Sequence, residues 1–282
     1  MTTEQNVDGS PKKQKLEPVK QMYVKPWEMD MTVIFVDILR TISTMPLKDY
    51  MVLRGGIALS MFLSQNPELI RRTTDIDLDI RVWEAWDNFA VNSAKLLTDG
   101  SKAGYTYTSE GRANTANING TDSLFLSCCF GGEHPVRFKI DMNVRVVDDV
   151  VITEEGIKLA SVSNMLCDKL AVLATNRILH RIKDLYDVYT ISFVGDIVMQ
   201  ELLNEWYKTY RDEGVKSVYT FNAANHGGVQ KVYERIDRLA GKADFQTVLA
   251  RALQFASAFY TLIANKEQIS GLRWNEVSGK WQ

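Results

Sequence analysis

The sequence predicts an α+β fold, a mixed sheet with flanking helices up to residue 160 followed by a helical bundle. Residues 51–80 run from a short apolar strand through a Gly-Gly break and a helix to an acidic strand. Residues 105–151 are rich in β-branched and aromatic residues with Gly and Asn between them, the composition of antiparallel strands. From Ser161 nearly to Asn265, apolar residues recur at helical spacing. Strands grouped first and helices last give an α+β order rather than a regular βαβ winding.

Taken in order, residues 1–22 are polar, carry Lys12, Lys13, Lys15 and Lys20, and read as a disordered tail. Ile34, Phe35, Ile38, Leu39 and Ile42 predict a helix over 28–44. Residues 51–53 read as a buried strand, 57–63 as a helix and 71–80 as the lead into the acidic strand. An amphipathic helix over 83–97 turns Trp83, Trp86, Phe89, Ala90 and Ala94 inward. Strands follow at 105–108, 124–130 and 137–147, with a turn-like stretch at 114–122. Helices are predicted at 161–176, 182–193, 198–210, 228–240 and 245–263, with a loop at 221–228. Trp274 and Trp281 are expected to pack back on the body. The expected layout is a tail at 1–22, a core at 23–160 and a helical domain at 161–282.

Composition narrows the function classes. A chain of 282 residues, 45% hydrophobic and 24% charged, is ordinary for one large or two small globular domains. A net charge of −2 argues against a strongly basic surface, while a local positive groove stays open. No apolar run reaches the roughly 18 residues that span a bilayer, and Met1 to Gln21 lacks a signal-peptide core. Cys128, Cys129 and Cys167 show no metal-ligand spacing and read as reduced, mostly buried thiols. Together these predict a cytoplasmic chain with no membrane contact.

The most informative stretch is Thr73-Thr74-Asp75-Ile76-Asp77-Leu78-Asp79-Ile80. With a period of two, Asp75, Asp77 and Asp79 share one strand face and Ile76, Leu78 and Ile80 the other. Carboxylates stacked on one face repel unless a cation sits among them. A hard divalent ion such as Mg²⁺ takes carboxylate oxygens together with substrate phosphates. Asp141, in Lys139-Ile140-Asp141, would complete a three-carboxylate set with Asp75 and Asp77. Asp79 is expected to be a solvent-facing or salt-bridged residue at the strand end. Upstream, Gly55-Gly56 would let backbone N–H groups approach a phosphate at a helix N-terminus. Alone, the pair also reads as a tight turn.

Further on, Cys167-Asp168-Lys169-Leu170-Ala171 places a lysine in an otherwise apolar helix. Such a lysine either snorkels to the surface or serves as a point charge for a triphosphate. Asp184 and Asp187, three apart, share one helical face. With Arg177, Arg181 and Lys183 nearby they form a dense charge cluster, suited to a polar site or to an ion-pair network that orients Lys169.

These pieces, Leu-Arg-Gly-Gly-Ile-Ala-Leu, Arg-Arg-Thr-Thr-Asp-Ile-Asp-Leu, Phe-Lys-Ile-Asp, Asp-Lys-Leu-Ala and Lys-Asp-Leu-Tyr-Asp, stand in one order from Leu53 to Tyr189. The order resembles the AbiEii/AbiGii toxin family, nucleotidyltransferases with a DNA polymerase β-like core that act in type IV toxin–antitoxin and abortive-infection (phage-defence) systems. The resemblance implies an N-terminal core of that fold, with Gly55 and Gly56 on the nucleotide phosphates and Asp75 and Asp77 on Mg²⁺ or Mn²⁺. Asp141 aligns with the third metal carboxylate. Lys169 would meet the triphosphate and Asp184 would be a further essential acid, with Arg181 and Lys183 assigned to the nucleotide. Lys183 stands where the family often has Arg, which keeps the charge and loses the planar fork. The 19-residue step from Gly56 to Asp75 implies an extended loop at 64–72.

The implied reaction moves a nucleoside monophosphate from an NTP to RNA, at the 3′ end of tRNA, blocking translation and growth. A cognate antitoxin is an expected partner. Lys208, Arg211, Lys216, Lys231, Arg235 and Arg238 are candidate RNA contacts or a solvated face. The alternatives are a nucleotide (GTP)-binding effector without efficient transfer, and nucleotidylation of a protein or small molecule.

Overall fold

The computed structural model describes residues 31–114, 120–129, 135–174, 181–194, 197–210, 226–236, 239, 241–265 and 271–282. The expected tail at 1–22 lies outside them.

A seven-stranded mixed sheet organises the N-terminal part. Its strands are β1 (Met51–Arg54), β2 (Asp75–Ile80), β3 (Thr106–Asn114), β4 (Thr121–Cys129), β5 (Val136–Val144), β6 (Val150–Ile152) and β7 (Lys158–Ala160). They lie in the order β3-β4-β5-β2-β1-β7-β6. The antiparallel run β3-β4-β5 is a meander, in line with the antiparallel strands expected there. β2 joins β5 in parallel and β1 antiparallel, and β7 joins β1 in parallel. The paired short strands β6 and β7 were not separately expected.

Three helices flank this sheet: α1 (Thr32–Ile42), α2 (Gly55–Phe62) and α3 (Trp83–Gly100). Ile34, Ile38 and Ile42 of α1 are fully buried while Val33 is 57% exposed, the one-sided burial their spacing dictates. They share a core with Leu53, Ile76, Leu78, Ile80, Trp86 and Ile140. The apolar side of the acidic strand is thus the wall of the sheet core. Trp86 Nε1 donates to the buried Asp122 at 2.8 Å, so α3 is pinned polar to polar as well.

A second core gathers the remaining helices, α4 (Val162–Leu173), α5 (Ile182–Ile191), α6 (Met199–Tyr210), α7 (His226–Tyr233) and α8 (Phe245–Asn265). Ser161 caps α4, its Oγ accepting from the Asn164 amide at 3.1 Å. Leu59 and Leu63, at the end of α2, belong to this second core and carry the Gly-Gly helix across to it. Helix α7 begins at His226, inside the stretch expected to be a loop, and ends at Tyr233 rather than 240. Helix α8 is long and apolar enough to cross a membrane by length and composition. Its Leu249, Phe255 and Phe259 are nonetheless buried in this core. Trp274 and Trp281 pair on a two-stranded hairpin, β8 (Trp274–Asn275) with β9 (Lys280–Trp281), and stack on Phe255. That is the return packing expected of them.

Candidate active site

Register builds the site. Across four strands, Arg54 of β1 stands beside Asp77 of β2, Asp77 beside Asp141 of β5, and Asp141 beside Ser123 of β4. Asp75 lies two residues from Asp77 on the same face. Asp75, Asp77 and Asp141 can each bring a carboxylate oxygen within 4.8 Å of the other two. The donor set is purely hard oxygen, which suits Mg²⁺ or Mn²⁺. Burial raises the Asp77 pKa, and the Asp75 carboxylate raises it further, with Lys183 opposing. Ser123 Oγ donates to Asp141 at 2.6 Å, and Lys139 Nζ donates to the other Asp141 oxygen. Thr73 Oγ1 donates to Asp75 at 3.2 Å, and Lys183 Nζ stands 3.8 Å from Asp75.

Asp79 behaves differently. It is buried, not solvent-facing, and takes both its oxygens to Arg54 at 3.1 and 2.8 Å. Arg54 also pairs with Asp168, which in turn accepts from Arg145 at 2.9 Å. Asp79 is therefore a salt-bridge residue whose network ties β1 and β2 to helix α4.

The Gly-Gly turn has a steric cause. Gly55 adopts φ +70°, and a Cβ there would fall 1.9 Å from Asp77 Oδ2. Only a glycine lets α2 start this close to the acidic row. Gly55→Ala is expected to cost about 1–2 kcal/mol in backbone strain alone and to push Asp77 out of line. A lowered melting temperature together with weaker Mn²⁺ binding checks it.

Facing the sheet is a buried ion-pair chain. Lys169 Nζ donates to Asp187 at 2.6 Å and to Asp184 at 3.1 Å. Arg71 clamps Asp187 through Nε at 2.6 Å and Nη2 at 2.9 Å, and Arg181 Nε donates to Asp184 at 2.8 Å. Asp184 and Asp187 are fully buried, and Lys169 is buried rather than snorkelling. Burial lowers the Lys169 pKa, but Asp187 and Asp184 together hold it above the ordinary lysine value. Burial lowers the Lys183 pKa, with Asp75 opposing.

Both sets open on one cleft of ≈ 970 Å³, lined by Gly55, Gly56, Asp75, Asp77, Asp141, Lys169, Arg181, Lys183 and Asp184. Every residue assigned in the sequence to the metal or the nucleotide lines it; Asp187 of the charge cluster does not, and Arg177 lies outside the described residues. A family model described as the nucleotidyl transferase AbiEii toxin of a type IV toxin–antitoxin system matches residues 37–264. The chain belongs to the AbiEii family. Membership makes it a nucleotidyltransferase and a toxin, with a nucleotide substrate and an antitoxin in its system.

Solved structures similar to this AbiEii chain include JHP933 from Helicobacter pylori, at 13% identity and TM-score 0.47, covering 84% of this chain and 94% of that one. MenT4, a nucleotidyltransferase toxin from Mycobacterium tuberculosis H37Rv, shares 13% identity at TM-score 0.43, covering 83% and 92%. The Megavirus polyadenylate synthase shares 12% at TM-score 0.29, covering 78% and 36%. None exceeds 0.5, and the family match alone carries the assignment. No curated sequence matches at a significant level.

Sequence reasoning passed over Arg71, Arg54, Ser123 and Lys139, all of which line this AbiEii cleft. The signal for Arg71 was present, a charged pair, Arg71-Arg72, directly ahead of the acidic strand. The segment expected as an extended loop at 64–72 holds a short 3₁₀ turn, Pro67–Leu69, and delivers Arg71 to the interior.

Proposed function

We propose that this AbiEii toxin transfers a nucleoside monophosphate from an NTP to RNA, at the 3′ end of tRNA, releasing pyrophosphate. The metal is Mg²⁺, and the setting is the cytoplasm, in a phage-defence system. The observation that carries this reading is the convergence in one cleft of three carboxylates, a glycine-opened helix start and the protonated Lys169.

Asp75, Asp77 and Asp141 fit a divalent ion, since a cation among them relieves the repulsion that raises the Asp77 pKa. Bound there, it would neutralise the triphosphate and favour in-line displacement. The chain supplies the rest. Gly55 and Gly56 admit phosphate oxygens to backbone N–H groups, and the α2 N-terminus favours their charge. Lys169 is the point charge for the triphosphate, with Arg181 and Lys183 beside it. Asp184 holds both Lys169 and Arg181 and positions them.

A cleft at the upper end of ligand-site volumes suits a nucleotide plus an acceptor end. Arg235 is exposed and directly precedes Ile236, which lines the cleft, and Lys231 is exposed on α7; both are available to acceptor phosphates. Lys208 instead faces Asp148 and Glu205 at 3.5 and 3.9 Å. Arg211, Lys216 and Arg238 lie outside the described residues. In this reading residues 23–160 form the metal-binding core, and the helical domain, 161–282, brings Lys169.

The test is incubation with Mg²⁺, total tRNA and each α-labelled NTP, resolved on a denaturing gel. Label in tRNA, lost in Asp77→Asn and Lys169→Ala, is the expected result. Label on protein would shift the acceptor, and nucleotide binding without label would leave an effector rather than this transferase.

A further inference from the structure

We propose that Arg71 is a positioning residue for nucleotidyl transfer: by neutralising Asp187 it leaves the Lys169 ammonium available to the triphosphate. This rests on the reading that Lys169 meets the nucleotide phosphates.

The charges around Lys169 set the problem. Asp184 and Asp187 are two fully buried carboxylates, and each bonds Lys169. An ammonium has three N–H donors and one charge. Facing two buried acids alone, it would be consumed by them and present little positive field to a ligand. The outer cations change this balance. Arg181 takes the free oxygen of Asp184, and Arg71 takes both oxygens of Asp187 in a fork. Three cations against two anions leave one positive charge, and Lys169 lies between the other two at the cleft wall.

Arg181 is half exposed and its pairing is screened by water, whereas Arg71 is only 7% exposed. The burden of neutralising the inner acid therefore falls on Arg71. Its remaining geometry agrees. Nη1 donates to the Arg72 carbonyl at 3.3 Å, which fixes the guanidinium plane. A Cβ at Gly56 would stand 3.3 Å from Arg71 Nη2 and 2.8 Å from Thr73 Oγ1. Gly56 thus makes room for the guanidinium directly beneath the phosphate-side turn. One side chain braces the glycine turn of the core and the lysine-holding acid of α5.

The experiment is calorimetric titration of the full-length protein with each of the four NTPs and Mg²⁺, without acceptor, alongside thermal melts. Arg71→Gln is expected to weaken NTP binding about tenfold, since Lys169 is then tied to Asp187. The double variant Arg71→Gln/Asp187→Asn removes the acid together with its neutraliser and should bind within about threefold of wild type. Arg71→Lys, which keeps the charge, should do the same.

Unchanged binding in a folded Arg71→Gln overturns the proposal. So does a double variant that is folded but binds as poorly as Arg71→Gln, because Arg71 would then touch the nucleotide itself. If Arg71→Gln does not fold, the double variant and Arg71→Lys decide, and a tenfold loss in either overturns it. A wild-type protein that binds no NTP overturns the functional reading and this inference with it, an outcome distinct from the others.

Discussion

Asp77→Asn is expected to lower nucleotidyl transfer by more than about a hundredfold, since even a partner behind a metal ligand is worth 10–100-fold. The amide keeps the shape of the carboxylate but is a poor ligand for a hard divalent ion. The fold should not suffer. Burial and the Asp75 carboxylate raise the Asp77 pKa, so its ionised form is disfavoured in the folded protein. A carboxylate with a raised folded pKa costs stability as pH climbs past its unfolded value near 3.9. Removing that charge leaves the melting temperature at neutral pH equal or higher. The paired outcome, activity lost and stability kept, is what a metal-binding carboxylate gives. Retained turnover in this variant would refute the metal assignment, and a large fall in melting temperature would make Asp77 a structural residue instead.

Part of this site could be read directly from the residue order. The two-residue period of 75–80 places Asp75 and Asp77 on one face because strand geometry allows nothing else. The three-residue step from Asp184 to Asp187 does the same on α5. What the order could not give is register. The row Arg54, Asp77, Asp141, Ser123 depends on which strands pair and at what offset, and strand β7 beside β1 is too short to leave a pattern. The function of Arg71 is likewise set by a partner 116 residues away. Helix α7 shows the opposite failure. Gly227 and Gly228 disfavour a helix locally, yet Val229 and Tyr233 are buried in the second core, and packing prevails. For Asp79 the sequence leaves solvent and a salt bridge both open; β2 is central in the sheet and the neighbouring Arg54 captures the carboxylate, so the salt bridge holds and the solvent-facing alternative does not.

Asp187→Ala is expected to destabilise the protein by about 3–5 kcal/mol, the usual cost of breaking a buried ion pair by removing one partner. Asp187 is fully buried and is the shared acceptor of Arg71 and Lys169. Its loss strips buried Arg71 of its ion pair and leaves Lys169 bonded to Asp184. It also removes one of the ties between α5 and the segment ahead of β2, where Tyr186 Oη still donates to the Leu69 carbonyl at 3.1 Å. For a chain of this size that corresponds to a fall of about 10 °C in melting temperature. The pH dependence follows from the signs. Burial raises the Asp187 pKa, but Arg71 and Lys169 outweigh it and hold the group well below the usual carboxylate range. Its stabilisation is therefore complete above the unfolded value near 3.9 and is lost as pH falls further. Lys169 is held above its ordinary value, so its contribution is complete below about 10.4 and lost above it. Between about pH 5 and 9 neither group changes charge in the wild-type protein, so the stabilisation it draws from this pair should be constant across that window. Denaturant unfolding of both proteins at several pH values checks it. A penalty that vanishes near pH 7 would mean that Lys169 is neutral there. That would remove the positive charge on which triphosphate binding depends.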